Sequence, residues 1–130
     1  VGVPFEDIGS IKDAGAVNIL YGSSSGLQAS SPDDQFWHQD STGVEDVAED
    51  FDLFGSSLAA GDFNNDGRDD LAVGVPVEDI GSIIDAGAVN ILYGSSSGLQ
   101  ASSPDDQFWH QDSPNVDGVA ESGDELGYTL

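Results

Sequence analysis

The chain has no cysteine and no methionine, and its only basic residues are Lys12 and Arg68. Without cysteine, neither a disulfide nor thiol chemistry can brace or drive it. Two cations against 25 acids leave a formal charge of −23. That balance repels nucleic acid and anionic membranes, so neither is expected as a partner. Nothing approaches a run of about 18 apolar residues, so no membrane insertion is expected. The first residues, Val1-Gly2-Val3-Pro4, carry no basic region and no signal-peptide core, and read as the middle of something longer. Acidic, weakly hydrophobic chains are often disordered. Here the acids alternate with patterned apolar segments, and both Trp residues lie in such segments. The remaining readings are a solvated extracellular surface and sites for hard cations. The missing disulfides make a metal brace the more attractive of these.

What the chain does have is repetition. Val1–Ser41 matches Val73–Ser113 at an offset of 72 residues, with two differences in 41 positions: Phe5 against Val77 and Lys12 against Ile84. The similarity then decays, with seven of 17 positions agreeing between 42–58 and 114–130. Ala59–Ala72 occurs once. The chain therefore holds about 1.8 units, cut out of phase: a partial unit over 1–53, a complete one over 54–125, and the start of a third at 126–130. Near-identical units present near-identical surfaces, so each can meet the next in the same way. Such contacts close into a ring or continue as a filament.

Four short strands are predicted per unit. They fall near Ser57–Gly61, Leu71–Val75, Ala88–Tyr93 and Gln107–Gln111. In the second, Leu71, Val73 and Val75 share one face, with Ala72 and Gly74 on the other. In the third, Val89, Ile91 and Tyr93 share a face. Gly, Ser, Asp and Pro fill the intervening loops, and no segment holds a helical period. Four strands per unit is the rhythm of a propeller blade, whose sheets pack face to face around an axis. The expected class is all-β: four-stranded antiparallel propeller-type blades in tandem, unclosed in this stretch.

One segment carries chemistry: Asp62-Phe63-Asn64-Asn65-Asp66-Gly67-Arg68-Asp69-Asp70. Alternate residues in a tight loop point inward, so Asp62, Asn64 and Asp66 can converge. Gly67 permits a turn at positive φ. The Arg68 carbonyl then faces the ion, Asp70 closes the shell and Asp69 points outward. Oxygen donors alone select a hard divalent cation such as Ca²⁺ over zinc. An EF-hand would need a bidentate Glu at the twelfth position, where Val73 stands inside a strand. The loop therefore reads as a calcium loop in a β-hairpin. A solvated turn rich in Asx residues is the competing reading. Without a cation, three carboxylates in nine residues repel one another.

The run Phe54-Gly55-x-x-Leu58-Ala59-x-Gly61-Asp62-Phe63-Asn64-x-Asp66-Gly67-x-x-Asp70-Leu71-Ala72-Val73-Gly74-Val75-Pro76 resembles the FG-GAP repeat, the blade unit of integrin α-subunit propellers, and more closely its bacterial, integrin-like form. Val1–Pro4 repeats the tail of that motif, and Leu126-Gly127-x-x-Leu130 its head, with Leu for Phe. The resemblance implies a blade whose inter-strand loop binds Ca²⁺ through Asp62, Asn64, Asp66, Arg68 and Asp70. It also implies an extracellular or cell-surface setting, and adhesion through exposed loops. The unit is longer than the family's, with the excess in Ser95–Asp106 and Asp112–Glu125.

Other features weigh less. Trp37-His38 and Trp109-His110 could form a sugar-stacking platform, but a packed outer strand is the expected reading. The two His residues occupy equivalent strand positions, which argues against a Ser-His-Asp set. The acidic loops at 45–52 and 78–85 follow no ligand spacing and read as solvated acid. Paired carboxylates for glycoside hydrolysis are so abundant that their presence says nothing. The serine triplets at 23–25 and 95–97 read as turns before glycosylation sites. The expected protein is a secreted, calcium-stabilised, non-catalytic module. It packs against further copies of its repeat, or binds a protein or glycan ligand. The rival is a ligand- or glycan-binding appendage of a secreted enzyme.

Overall fold

The structure is a computed structural model and describes residues 1–30 and 33–130. Among these residues there are strands and turns but no helix. The first unit supplies β1 (Gly2–Val3), β2 (Ala16–Ile19), the hairpin β3 (Tyr21–Ser23) and β4 (Gly26–Gln28), and β5 (Gln35–Trp37). The second supplies β6 (Ser57–Gly61), β7 (Asp70–Val75), β8 (Ala88–Ser95), β9 (Gly98–Gln100) and β10 (Gln107–Trp109). The second sheet runs β10-β8-β7-β6, every pair antiparallel, with β9 folded back on the end of β8. The first sheet runs β1-β2-β5. Neither closes on itself, so the chain is two open, propeller-type blades.

The expected strands fall where the pattern places them, with adjusted ends. β6 has the expected bounds. β7 begins one residue early, at Asp70, and β8 runs two residues further, to Ser95. β10 stops at Trp109, because the His110 N–H leaves the ladder for the Ser113 hydroxyl at 2.9 Å. Where the pattern predicts only a loop after β8, the structure has the β9 hairpin. It is a two-residue turn over Ser96-Ser97, with the Ser95 hydroxyl donating to the Gly98 carbonyl at 2.7 Å.

Stacking of the blades makes the core. Val17 from the first blade is buried with Phe54, Val73, Val75, Leu92 and Ala101, and Ile19, Trp37 and Leu99 pack around them. Full burial of one such side chain contributes about 1.5–3 kcal/mol. β7 is covered on both faces, as an inner strand must be. Phe54, the aromatic of the Phe-Gly pair, is completely buried. Its N–H donates to the Ala14 carbonyl at 2.8 Å, and Leu126 repeats the bond to Ala86 at 3.0 Å. The opening of each unit is thus laced to the unit before it.

Two glycine pairs tighten that lacing. Gly55 lies at φ +90, and a Cβ there would stand 2.7 Å from the Ala16 carbonyl oxygen. A Cβ on Gly74 would stand 2.0 Å from the Gly127 carbonyl oxygen, and one on Gly2 the same distance from that of Gly55. Only hydrogen allows these backbones to approach so closely.

Candidate metal centre

With two basic residues available, the acids cannot be satisfied by ion pairs. Among the described residues a single pair is present, Arg68 to Asp66 at 3.8 Å and exposed on both sides. Such a contact contributes little. The carboxylates accept main-chain N–H bonds instead. Asp79 takes the N–H of Asp85 at 2.8 Å, Asp50 that of Lys12 at 2.8 Å, and Asp40 that of Ala48 at 3.1 Å. Charge-assisted bonds of this kind are stronger than neutral ones. Asp79 thus shapes its own loop, and Asp50 ties its loop to Lys12.

The loop joining β6 to β7 uses the same device. Asp62 accepts from the Asp66 N–H at 3.0 Å and the Gly67 N–H at 2.9 Å. Asn64 Oδ1 accepts from the Asp66 N–H at 2.9 Å, and Asp66 Oδ1 from the Arg68 N–H at 2.9 Å. Gly67 has φ +86, and Asn65 also lies at positive φ, +60. The structure therefore brings Asp62, Asn64 and Asp66 together around one turn. Asp70 sits apart in character: it is buried while residues 62–69 are exposed. Its Oδ2 accepts from the Phe63 N–H at 2.8 Å and its Oδ1 from the Gly94 N–H at 2.9 Å. It thus ties the loop's start to the end of β8.

Among the described residues, no three His, Cys, Asp or Glu side chains gather in a metal-ligating group. The donor set itself is all oxygen, and each carboxylate retains acceptor capacity beyond its N–H bonds. The residues fit a hard cation in chemistry, and the loop must contract to hold one.

A second polar seam crosses between the blades. Gln35 exchanges two bonds with the main chain of Leu99, each 2.8 Å. Asp106 accepts from the Glu45 N–H at 3.0 Å, and Asn90 donates to the Glu45 carbonyl at 3.1 Å. Gln39 Nε2 donates to Glu78 Oε2 at 2.5 Å, with both side chains buried. Burial, followed by the neighbouring Asp46 and Asp52, pushes the Glu78 carboxyl up to about 9. Burial likewise raises Asp52 to about 6, with the charges of Glu49, Asp46 and Asp79 adding to it. Gln39 and Glu78 were not singled out from the sequence. The same Glu at position 6 is exposed, so burial here comes from the neighbouring blade.

Trp37 packs against the inter-blade core, as the packed-strand reading expects. Beside the β6–β7 loop lies an open crevice of about 470 Å³, lined by Ile19, Tyr21, Arg68, Asp69, Leu71 and Leu99.

Open antiparallel blades that stack face to face, with an Asp-rich hairpin loop, define a propeller-type repeat. Residues 54–92 match the family model of the FG-GAP repeat, and this stretch is an FG-GAP repeat. The chain is 41% identical over 90 residues to phosphatidylinositol-glycan-specific phospholipase D of Rattus norvegicus, covering 69% of this chain and 10% of that protein. The Mus musculus and Homo sapiens proteins of the same name are 39% and 38% identical, with the same shares covered. The chain thus spans about a tenth of the length of these curated relatives.

Proposed function

We propose that the chain is a non-catalytic, calcium-stabilised repeat module of an extracellular or cell-surface protein, serving adhesion or assembly. Its partners are further copies of the repeat, or a protein or glycan ligand. The observation that carries this reading is the β6–β7 loop, where Asp62, Asn64 and Asp66 already share one turn. Asp62, Asn64, Asp66, Asp70 and the Arg68 carbonyl would hold Ca²⁺. The ion supplies charge neutralisation and no reaction chemistry. By drawing the carboxylates in, the loop would stiffen the hairpin on which the complete blade is built. Because the loop occurs once, binding has one site per chain. Calcium titration by calorimetry, with and without Asp66→Ala, tests it. Saturable binding lost in the variant supports the reading, and identical traces contradict it.

A second reading has one observation in its favour: the relatives are phospholipases, and the match is confined to about a tenth of each. In that reading the module is an appendage that places a secreted enzyme on its ligand. A catalytic domain flanking the repeat in the parent chain would favour it.

A further inference from the structure

Asp–Gly steps occur twice in the chain, at Asp66–Gly67 and Asp117–Gly118, and the fold holds them differently. An Asp–Gly peptide can react with itself, because glycine has no side chain to keep its nitrogen from the preceding carboxyl. Around the second step nothing assists. Among the described residues, neither the Asp117 carboxylate nor the Gly118 N–H has a hydrogen-bond partner. At the first step every reacting group is held. Asp66 Oδ1 accepts from the Arg68 N–H at 2.9 Å, two residues on, which folds the carboxyl back over the Gly67 nitrogen between them. The Gly67 N–H donates to Asp62 Oδ2 at 2.9 Å, so a carboxylate already sits on that nitrogen's proton. The Asp66 N–H donates to Asp62 Oδ1 at 3.0 Å and to Asn64 Oδ1 at 2.9 Å, which fixes the same residue from behind. The Arg68 guanidinium stands 3.8 Å from Asp66 Oδ2. A Cβ on Gly67 would meet nothing within 4 Å, so a ring has room to form there. Nucleophile, base, electrophile and oxyanion donor of an acyl transfer thus share one exposed turn.

We propose that this loop modifies itself: the Gly67 nitrogen closes on Asp66 Cγ, and the succinimide so formed opens to leave isoaspartate at position 66. Gly67 passes its proton to Asp62 as the N–Cγ bond forms, and the Arg68 N–H steadies the negative charge on Oδ1. The Cγ–Oδ2 bond then breaks beside the Arg68 guanidinium. Oδ2 leaves as water, taking the Gly67 proton and one from solvent. A second water attacks the main-chain carbonyl carbon of Asp66. The bond from that carbon to nitrogen breaks, and a free α-carboxylate and a proton are released. The sum is an isomerisation that consumes nothing and leaves the mass unchanged. The main chain now runs through the side-chain carbons of Asp66 and is one atom longer. Conversion therefore displaces a carboxylate that the repeat-module reading gives to Ca²⁺. The reaction itself does not need the ion, so it is measured in chelator and fails separately from that reading.

The test is incubation of the folded chain in chelator at physiological temperature and pH. Isoaspartate is located by peptide mapping at intervals, with circular dichroism to follow folding. Isoaspartate at position 66 is expected to accumulate at least about tenfold faster than at position 117, a modest part of what a positioned base contributes. Asp62→Asn keeps an acceptor for the Gly67 N–H but no base, and is expected to slow position 66 to the pace of position 117. Denaturant is expected to do the same to the unaltered chain, which keeps the test conclusive should the variant misfold. Equal rates at 66 and 117 in the folded chain overturn the inference. So does a folded Asp62→Asn chain that converts position 66 as fast as its parent, or an excess at position 66 that survives unfolding.

Discussion

Gln39 and Glu78 meet across the boundary between the two blades, amide to carboxyl at 2.5 Å, and neither side chain has meaningful contact with water. Among the described residues, nothing cationic stands beside Glu78. Burial, and then its acidic neighbours Asp46 and Asp52, holds its proton far above the ordinary carboxyl range.

Stability should therefore fall as pH rises. The folded chain holds a proton that the unfolded chain releases near 4.5, so the stabilisation is complete below that value. It is lost progressively as pH climbs towards about 9. Asp52 adds a smaller loss between its ordinary 3.8 and about 6. Glu78→Gln keeps a neutral hydrogen-bonding group in place. It should raise stability at pH 8 by roughly 1–3 kcal/mol, the scale of a buried, poorly satisfied polar group. Denaturant melts of both chains at pH 5 and pH 8 check this. A difference that is the same at both pH values would contradict it.

Asp70 and Asp66 should separate structure from ion binding. Asp70→Ala strips the acceptor from two main-chain N–H groups, Phe63 and Gly94, and should cost roughly 1–3 kcal/mol even in chelator. Asp66→Ala loses one exposed hydrogen bond and one weak, exposed ion pair, both to Arg68, and should cost little in chelator. In calcium its deficit should widen. Thermal melts in both conditions distinguish the two roles.

Gly74 needs hydrogen for space and not for φ. Gly74→Ala would set a methyl 2.0 Å from the Gly127 carbonyl oxygen and beside the Ser57 hydroxyl that donates to it. Overpacking of this kind costs typically 1–3 kcal/mol, so a melting-temperature drop of several degrees is expected. Gly81→Ala has open space around it but sits at φ +65, so its smaller cost would be backbone strain alone.

Much of this architecture is legible before any coordinates. The alternation Leu71, Val73, Val75 marks a buried strand, and the Asx-rich run from Asp62 marks the turn before it. The self-match at 72 residues announces stacked units. The β9 hairpin was not legible, because Ser96 and Ser97 signal a turn while Gly98 and Gln100 carry no apolar alternation to mark a returning strand. The pair of hydrogen bonds that Asp70 accepts is hidden in the sequence for another reason. Its partner Gly94 lies 24 residues away and is met only once β7 and β8 pair. The buried Gln39–Glu78 pair is the clearest case. Positions 6 and 78 share the residue and the run that follows it, with Phe5 against Val77 before it, and a blade sits above the second and not the first.

Calorimetric titration of Ca²⁺ into the chelator-treated chain probes the nine-residue loop most directly. Expected are a saturable isotherm with one ion per chain and a higher melting temperature in calcium. No heat on titration, together with a melting temperature indifferent to chelator, would show that the turn from Asp62 to Asp70 holds its shape on main-chain hydrogen bonds alone.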